Sequence, residues 1–201
     1  MELAVVPEDD AAAEAVLAKA GVQPGERFAI LNPGGNNPAK RWPADRFAAI
    51  AARLRQSMRL RVLVNGSPGE AALTEEIAAA GNGLLGSGGG ESPSVASLAT
   101  LGITIGSLKG VVRRAALMVT NDTGPRHIAA AFGVPLVSLF GPTDHRWTTI
   151  PTRPGGPEAV LLADPTLPEE LMADDHPERC RVDRIEIESV WAAVERVLGR
   201  G

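Results

Sequence analysis

The sequence predicts an α/β fold, a Rossmann-like three-layer α/β/α domain with a mainly parallel sheet. Short apolar runs alternate along the chain with longer segments of helical periodicity, which is the pattern of βαβ units. The runs at residues 117–120 and 136–140 are almost continuously apolar, as expected of strands that are covered on both faces. With 201 residues, of which 44% are hydrophobic, one such domain accounts for nearly the whole chain.

The first third of the chain predicts two helices and one strand. Residues 8–19 are rich in alanine and predict a helix that ends before Gly21. Residues 28–31 predict a strand, which leads into a turn of Asn, Pro and Gly at residues 32–38. After Pro43 the apolar residues recur at i, i+3, i+4 and i+7, and this spacing predicts a second helix.

The next segments predict a second strand at residues 60–64 and two further helices. Ser67-Pro68-Gly69-Glu70 has the pattern of a capping box with proline at the first helical position, so it starts the third helix. Residues 81–94 contain six glycines and are predicted to be the most flexible segment. Apolar residues within 108–115 predict a short helix.

Between the two long apolar runs, residues 128–132 predict a helix that Gly133 ends. Residues 159–163 predict the last strand, and residues 165–177, rich in proline and acidic side chains, predict a surface loop. An amphipathic helix at residues 187–198 closes the chain.

Composition excludes several classes of function. The chain carries 20 Lys and Arg against 24 Asp and Glu, a net charge of −4, which argues against a nucleic-acid partner. No apolar run approaches the ~18 residues of a membrane span, and the N-terminus lacks the pattern of a leader, so a cytoplasmic protein is predicted. Cys180 is the single cysteine, and the three histidines have no paired spacing, so no metal site is predicted.

Four polar segments follow predicted strands, at residues 32–42, 66–70, 121–127 and 141–147. All four are enriched in Gly, Pro, Asn, Asp and Thr. Because ligands of open parallel sheets bind outside the carboxyl ends of the strands, these segments predict one binding site at that edge.

Within residues 121–127, Asp122 or Thr123 precedes Gly124-Pro125, the pattern of a capped helix start whose free amides attract a phosphate. An ordinary helix cap is the alternative. His127, one turn into that helix, is interpreted as a ligand contact, with a buried structural imidazole as the alternative.

Three further residues are candidates for ligand binding. Lys40 follows a glycine-rich turn and can reach a diphosphate as a point charge, unless it is only a solvated basic residue beside Arg41. Glu70 either closes the capping box or accepts the hydroxyls of a ribose. Thr143 is predicted to face the same crevice as Thr123, although a plain loop explains it equally well.

Several common enzyme motifs are missing where a ligand site is predicted. The glycine-rich turn at residues 32–38 has neither the Gly-x-x-x-x-Gly-Lys-Ser/Thr nor the Gly-x-Gly-x-x-Gly spacing, and the sequence contains no Gly-x-Ser-x-Gly. A P-loop nucleotide triphosphatase, a dinucleotide-binding domain and a serine hydrolase are therefore disfavoured.

Four stretches of the chain resemble glycosyltransferase family 9, the ADP-heptose:lipopolysaccharide heptosyltransferases. They are NPGGNNPAKRWPADRFAAIAARL (residues 32–54), VNGSPGE (64–70), VTNDTGPRHIAAAFGVPLVSLFGPTD (119–144) and the C-x-V-x-x-I pattern at 180–185. The resemblance covers nearly the whole chain from about Val5 onward. It implies the C-terminal half of a GT-B fold.

The resemblance also implies a role for each candidate residue. Lys40 and the backbone of Thr123 and Gly124 would hold the diphosphate, and Glu70 would bind the ribose hydroxyls. Adenine would lie near Ile103 and Thr104, although the glycine-rich segment at residues 81–90 departs from the more compact family pattern. Asp122 and His127 would face the sugar and the leaving phosphate.

The expected domain organisation follows from the same resemblance. Residues 1–21 would be a linker and the first helix, and residues 22–201 a single donor-binding domain. The N-terminal acceptor domain, with its general base, would be absent from this chain. The expected function is transfer of heptose from ADP-heptose to the lipopolysaccharide inner core with inversion. It needs no metal and no cofactor, and the enzyme would be cytoplasmic or peripheral at the inner face of the inner membrane.

Two other functions remain open on the sequence. One is a non-catalytic nucleotide-sugar binding module, which would share the crevice but lack turnover. The other is a UDP-sugar epimerase of the GT-B fold, which would act on its substrate without an acceptor.

Overall fold

The computed structural model describes residues 3–86, 93–151 and 156–199. Within them the predicted architecture is confirmed, since six parallel strands form one sheet between two layers of helices. The strands are β1 Phe28–Asn32, β2 Arg61–Val64, β3 Val95–Ser97, β4 Leu117–Asn121, β5 Leu136–Phe140 and β6 Glu158–Leu162. The α-helices are α1 Pro7–Lys19, α2 Ala44–Met58, α3 Ala71–Leu85, α4 Ile105–Arg113, α5 Gly124–Phe132 and α6 Ile187–Val197. One-turn 3₁₀ helices lie at Pro38–Lys40, Pro68–Glu70, His145–Thr148, Ala173–Asp175 and Val182–Arg184.

The strand order is β3-β2-β1-β4-β5-β6, so the direction of winding reverses between β1 and β4. In the middle of β1, Ile30 lies opposite Leu63 of β2 on one side and Met118 of β4 on the other. At such a reversal the loops after the two strands turn to opposite faces of the sheet, and the crevice between them is where α/β proteins bind ligands.

Two apolar layers bury both faces of the sheet. On one face, α2, α3 and α6 pack on side chains such as Leu31 and Val119. On the other face, α1, α4 and α5 pack on side chains such as Ile30 and Met118. Because alternate residues of one strand enter different layers, β1, β2, β4 and β5 are buried along their whole length, and the continuous apolar runs of the sequence are explained.

The predicted flexibility of residues 81–94 is wrong for the beginning of that segment. Helix α3 continues to Leu85, and Gly81 is buried where α3 approaches α2 and β3. A Cβ at Gly81 would lie 3.4 Å from that of Ala51 and 3.3 Å from Val95 Cγ2, so the glycine permits close packing there. Residues 87–92 of the segment lie outside the described residues. Strand β3, which follows, was not predicted, because three residues are too few to show a period.

The remaining predicted elements are confirmed to within a few residues. Helix α5 begins at Gly124, four residues earlier than its apolar residues indicate, and ends at Gly133, whose φ of 72° terminates it. A search of the described helices finds none with the length and apolar character of a membrane span.

Candidate functional site

A cavity of about 690 Å³ opens at the carboxyl ends of β1, β2 and β4. Its position is the reversal point of the sheet, as predicted for a ligand site of this fold. Most of its lining comes from the loops that follow these three strands, and α4 adds one apolar wall. The lining residues are Asn32, Gly34, Gly35, Asn36, Asn37, Lys40, Asn65, Gly66, Ser67, Pro68, Glu70, Ile103, Thr104, Ile105, Leu108, Asp122, Thr123, Gly124 and Pro125.

Seven of the nine predicted ligand-binding residues line this cavity. They are Lys40, Glu70, Ile103, Thr104, Asp122, Thr123 and Gly124. His127 and Thr143 are both half-buried and do not line it, so their contact with a ligand stays a prediction. The segment at 141–147 instead contributes to a second cavity of about 430 Å³ beside β5 and β6.

Glu70 is held by hydrogen bonds to both of its carboxylate oxygens. Oε2 accepts the backbone N–H and the hydroxyl of Ser67, both at 2.9 Å, which confirms the capping function. Oε1 accepts the N–H of Gly35 at 3.0 Å. Burial raises the pKa of this carboxyl, but the bonds from Ser67 and Gly35 outweigh it, so the pKa lies below its ordinary value.

The glycine-rich turn after β1 is fixed from both sides. Glu70 accepts the N–H of Gly35, and Arg41 Nε donates to the carbonyl of Gly35 at 2.8 Å. Arg41 therefore stabilises the conformation of this turn. Any Cβ at Gly34 would collide with the Glu70 carboxylate, so the turn can approach Glu70 only with glycine there.

Buried amides and hydroxyls form a network beneath the cavity. Asn32 Nδ2 donates to Thr120 Oγ1 at 3.0 Å and to Thr123 Oγ1 at 2.7 Å, and Asn65 Nδ2 donates to Asn32 Oδ1 at 2.6 Å. Sequence reasoning did not assign a role to Asn65. The sequence did contain a signal for this network, because an asparagine directly follows the apolar run of β1 and another follows that of β2.

The predicted capping role of the Thr123 side chain is wrong. Its hydroxyl accepts from Asn32 and does not cap α5. In the described part of the chain no side chain caps this helix. Because Gly124 is exposed and lines the cavity, the positive end of the α5 dipole is open to an anion.

Lys40 and Asp122 bring opposite charges together beside this helix end. Lys40 Nζ lies 3.6 Å from Asp122 Oδ2. The Lys40 side chain is 28% exposed and that of Asp122 only 9%. The lysine therefore retains access to the cavity while the carboxylate forms part of its wall.

One part of the cavity wall is apolar. Ile103, Ile105 and Leu108 lie there, and Ile105 is 79% exposed. Thr104 begins α4 with a capping box, in which its hydroxyl accepts the N–H of Ser107 at 3.1 Å. A flat apolar group can pack on the exposed Ile105 side chain. The Thr104 hydroxyl is already engaged in capping α4.

Within residues 3–86, 93–151 and 156–199, the His, Cys, Asp and Glu side chains form no group of three that could hold a metal ion. The groups that line the cavity suit a different ligand. They include the cation of Lys40, the free N-terminus of α5, carboxylate and amide groups, and the apolar side chains of Ile103, Ile105 and Leu108. These groups together can bind a molecule with an anionic part, a hydroxylated part and an apolar part.

Comparison with known proteins identifies relatives of the chain. The family model of glycosyltransferase family 9 (heptosyltransferase) matches residues 3–166. A lipopolysaccharide heptosyltransferase 3 from Escherichia coli is 33% identical over 122 residues, which are 60% of this chain and 33% of that protein. The match thus spans about a third of the length of this relative.

Solved structures show the same fold. A glycosyltransferase of family 9 from Veillonella parvula superimposes with a TM-score of 0.74 and 22% identity, over 100% of this chain and 54% of that one. The Escherichia coli heptosyltransferase WaaC with ADP-2-deoxy-2-fluoro heptose gives a TM-score of 0.59 and 18% identity, over 92% of this chain and 47% of that one. The present domain therefore has the fold of one Rossmann-like half of these larger chains.

Proposed function

This chain belongs to glycosyltransferase family 9, and we propose that it forms the donor-binding half of a heptosyltransferase of lipopolysaccharide core synthesis. The observation that carries the proposal is that one cavity combines the cation of Lys40 and the uncapped start of α5 with the apolar side chains of Ile103 and Ile105. The proposed donor is ADP-heptose, and no cofactor is needed. The acceptor would be the inner core, and the enzyme would act in the cytoplasm or peripherally at the inner face of the inner membrane.

The part of the cavity beside Lys40 and the start of α5 suits a diphosphate. Lys40 would neutralise it as a point charge, and the backbone of Thr123 and Gly124 would bind it at the positive end of the α5 dipole. During transfer a general base of the acceptor half would take the proton of the acceptor hydroxyl. Its oxygen then bonds to the anomeric carbon of the sugar while the bond from that carbon to the ADP oxygen breaks. The negative charge that develops on the leaving ADP would be stabilised by the same groups.

The rest of the nucleotide would follow the cavity toward α4. The Glu70 carboxylate lines the same cavity and would accept ribose hydroxyls with its remaining lone pairs. Adenine would cover Ile103 and Ile105, which are available to a flat apolar group. An ADP-sugar is supported as the donor by the related heptosyltransferase that was solved with ADP-2-deoxy-2-fluoro heptose.

Calorimetric titration of the chain with ADP, UDP and GDP tests this proposal. We expect ADP to bind best. A clear preference for UDP would contradict the ADP-sugar assignment and favour an epimerase of UDP-sugars, and binding of none of the three would contradict a nucleotide site altogether.

Lys40→Ala tests the phosphate end of the same site. A charge-assisted hydrogen bond contributes about 1.5–3 kcal/mol, so we expect the variant to bind ADP about tenfold to hundredfold more weakly. Adenosine, which carries no phosphate, should bind to the variant and the parent alike. The matched control is Lys19→Ala, because Lys19 is an exposed lysine at the end of α1, outside the cavity. Equal small losses for ADP and adenosine would make Lys40 a plain surface charge.

A further inference from the structure

Arg126 is a charged residue that the proposed reaction does not use, and it is almost completely buried beside the cavity. Its side chain is only 2% exposed. Nε donates to Glu158 Oε1 of β6 at 2.7 Å and to Ser138 Oγ of β5 at 3.1 Å. The guanidinium carbon lies 4.7 Å from the centre of the Phe140 ring. A buried cation is tolerated only with such partners, so its position is tightly constrained.

The remaining contacts of Arg126 lead to Asp122. Its Nη1 donates to the backbone carbonyl of Thr148 at 2.7 Å and lies 3.9 Å from Asp122 Oδ1. The hydroxyl of Thr148 donates to the same Asp122 oxygen at 3.4 Å. Asp122 Oδ2 faces Lys40 at 3.6 Å. The carboxylate thus lies between a buried cation and the partly exposed Lys40.

We infer that Arg126 is a positioning residue that shares the Asp122 carboxylate with Lys40, so that the carboxylate holds the Lys40 ammonium group only loosely, at 3.6 Å, and a diphosphate can displace it. This inference rests on the proposed function, because it treats Lys40 as the phosphate ligand. Without Arg126, the nearly buried Asp122 carboxylate would keep Lys40 as its remaining counter-charge and would move closer to it. Bound ADP would then have to displace a carboxylate that pairs more tightly with the lysine.

A purely structural role of Arg126 makes a different prediction. If the Arg126–Glu158 pair only stabilises the edge of the sheet, replacing both charges together should leave binding intact, because no uncompensated charge remains. The pair of substitutions Arg126→Met and Glu158→Gln therefore separates the two roles. Within the part of the chain that the structure describes, Glu158 makes no hydrogen bond or ion pair with Asp122, so the second substitution only removes the charge that Arg126 would leave unpaired.

The test measures ADP and adenosine affinities of this double variant by calorimetry. We expect adenosine to bind as it does to the parent chain and ADP to bind about tenfold more weakly. Adding Asp122→Asn should return ADP affinity to within about threefold of the parent chain, because the competing carboxylate is gone. Unchanged ADP affinity in the double variant, equal losses for both ligands, or no recovery with Asp122→Asn would each overturn the inference.

Thr148→Val provides a second test if the double variant fails to fold. It removes the hydroxyl that donates to Asp122 but keeps the carbonyl that Arg126 binds. We expect an ADP affinity about threefold lower with adenosine unaffected, and an unchanged ADP affinity would overturn the inference. If the parent chain does not bind ADP, the proposed function itself fails. If the parent binds ADP through Lys40 while these variants match it, only the role of Arg126 fails.

Discussion

At the scale of single residues, Glu70 joins two elements that are distant in sequence. One oxygen binds Ser67 within its own turn, and the other binds Gly35 in the loop after β1. Sequence reasoning about the capping box suggests that glutamine can replace Glu70 without loss of stability. The bond to Gly35 changes this expectation, because an amide offers only one oxygen to donors on two sides.

Glu70→Gln should therefore lower the free energy of unfolding by about 1 kcal/mol at neutral pH, a modest value because the carboxylate is partly solvated. Since the folded pKa lies below the ordinary value of 4.5, the stabilisation is complete above that pH and is lost as the pH falls through the lowered pKa. Urea unfolding at neutral and acidic pH measures this, and the gap between variant and parent should close in acid. The exposed Glu76→Gln is the control. A gap that does not depend on pH would contradict the carboxylate's role.

Thr123 shows why sequence reasoning predicted some contacts at the site and missed others. The Ser67–Glu70 bond spans three residues, so a short pattern contains both partners. The partner of Thr123 is Asn32, which is 91 positions away, and no local pattern distinguishes that bond from a helix cap. The same limit applies to Asn65, which the fold brings to Asn32.

At the scale of elements, the error at α3 has the same origin. Glycines at residues 81–86 indicated a flexible segment, yet Gly81 is buried where α3 crosses α2. The composition shows that a glycine has no side chain. It does not show whether a neighbouring helix packs into the space where a side chain would lie. Helices α2 and α6 were predicted correctly because the residues that they bury recur with the helical period in the sequence.

The close approach of α1 to α4 provides a matched test of glycine in two helices. A Cβ at Gly110 of α4 would lie 2.7 Å from the Cβ of Ala13 of α1, whereas one at Gly83 of α3 meets nothing within 4 Å. We expect Gly110→Ala to destabilise the protein by about 1–3 kcal/mol through overpacking, despite the better helix propensity of alanine. Gly83→Ala should instead stabilise it by about 0.5–1 kcal/mol. Thermal and urea unfolding measure both, and a stabilising Gly110→Ala would show that α1 can move away from α4 without cost.

At the scale of the whole molecule, the sequence pattern predicted the parallel sheet and the edge at which the cavity opens, because βαβ units allow few arrangements. The loops after β1, β2 and β4 line one cavity. The sequence pattern did not predict that the loop after β5 does not line it. The difference follows from strand order. Strand β5 lies one position further from the reversal point than β4, so its loop opens toward β6 and the segment at 162–180.

The carboxylates of the cavity bear on the proposed division of the reaction between two halves of the enzyme. A general base must lie within about 3 Å of the acceptor hydroxyl and be free to take its proton. Among the described residues that line the cavity, Glu70 and Asp122 carry the carboxylates and no histidine is present. Glu70 accepts three hydrogen bonds, and Asp122 lies between Lys40 and Arg126. Neither carboxylate is free to act as that base.

We therefore expect the 201-residue chain to bind ADP without transferring sugar. Incubation with ADP-heptose and a lipopolysaccharide core acceptor should give no glycosylated product by mass spectrometry, while calorimetry on the same preparation shows ADP binding. A full-length heptosyltransferase of this family is the positive control for the assay. Product formed by this chain alone would mean that its own residues supply the base, and the division between donor and acceptor halves would be wrong. Because Lys40 stabilises the leaving ADP in the proposed reaction, such product should then disappear with Lys40→Ala.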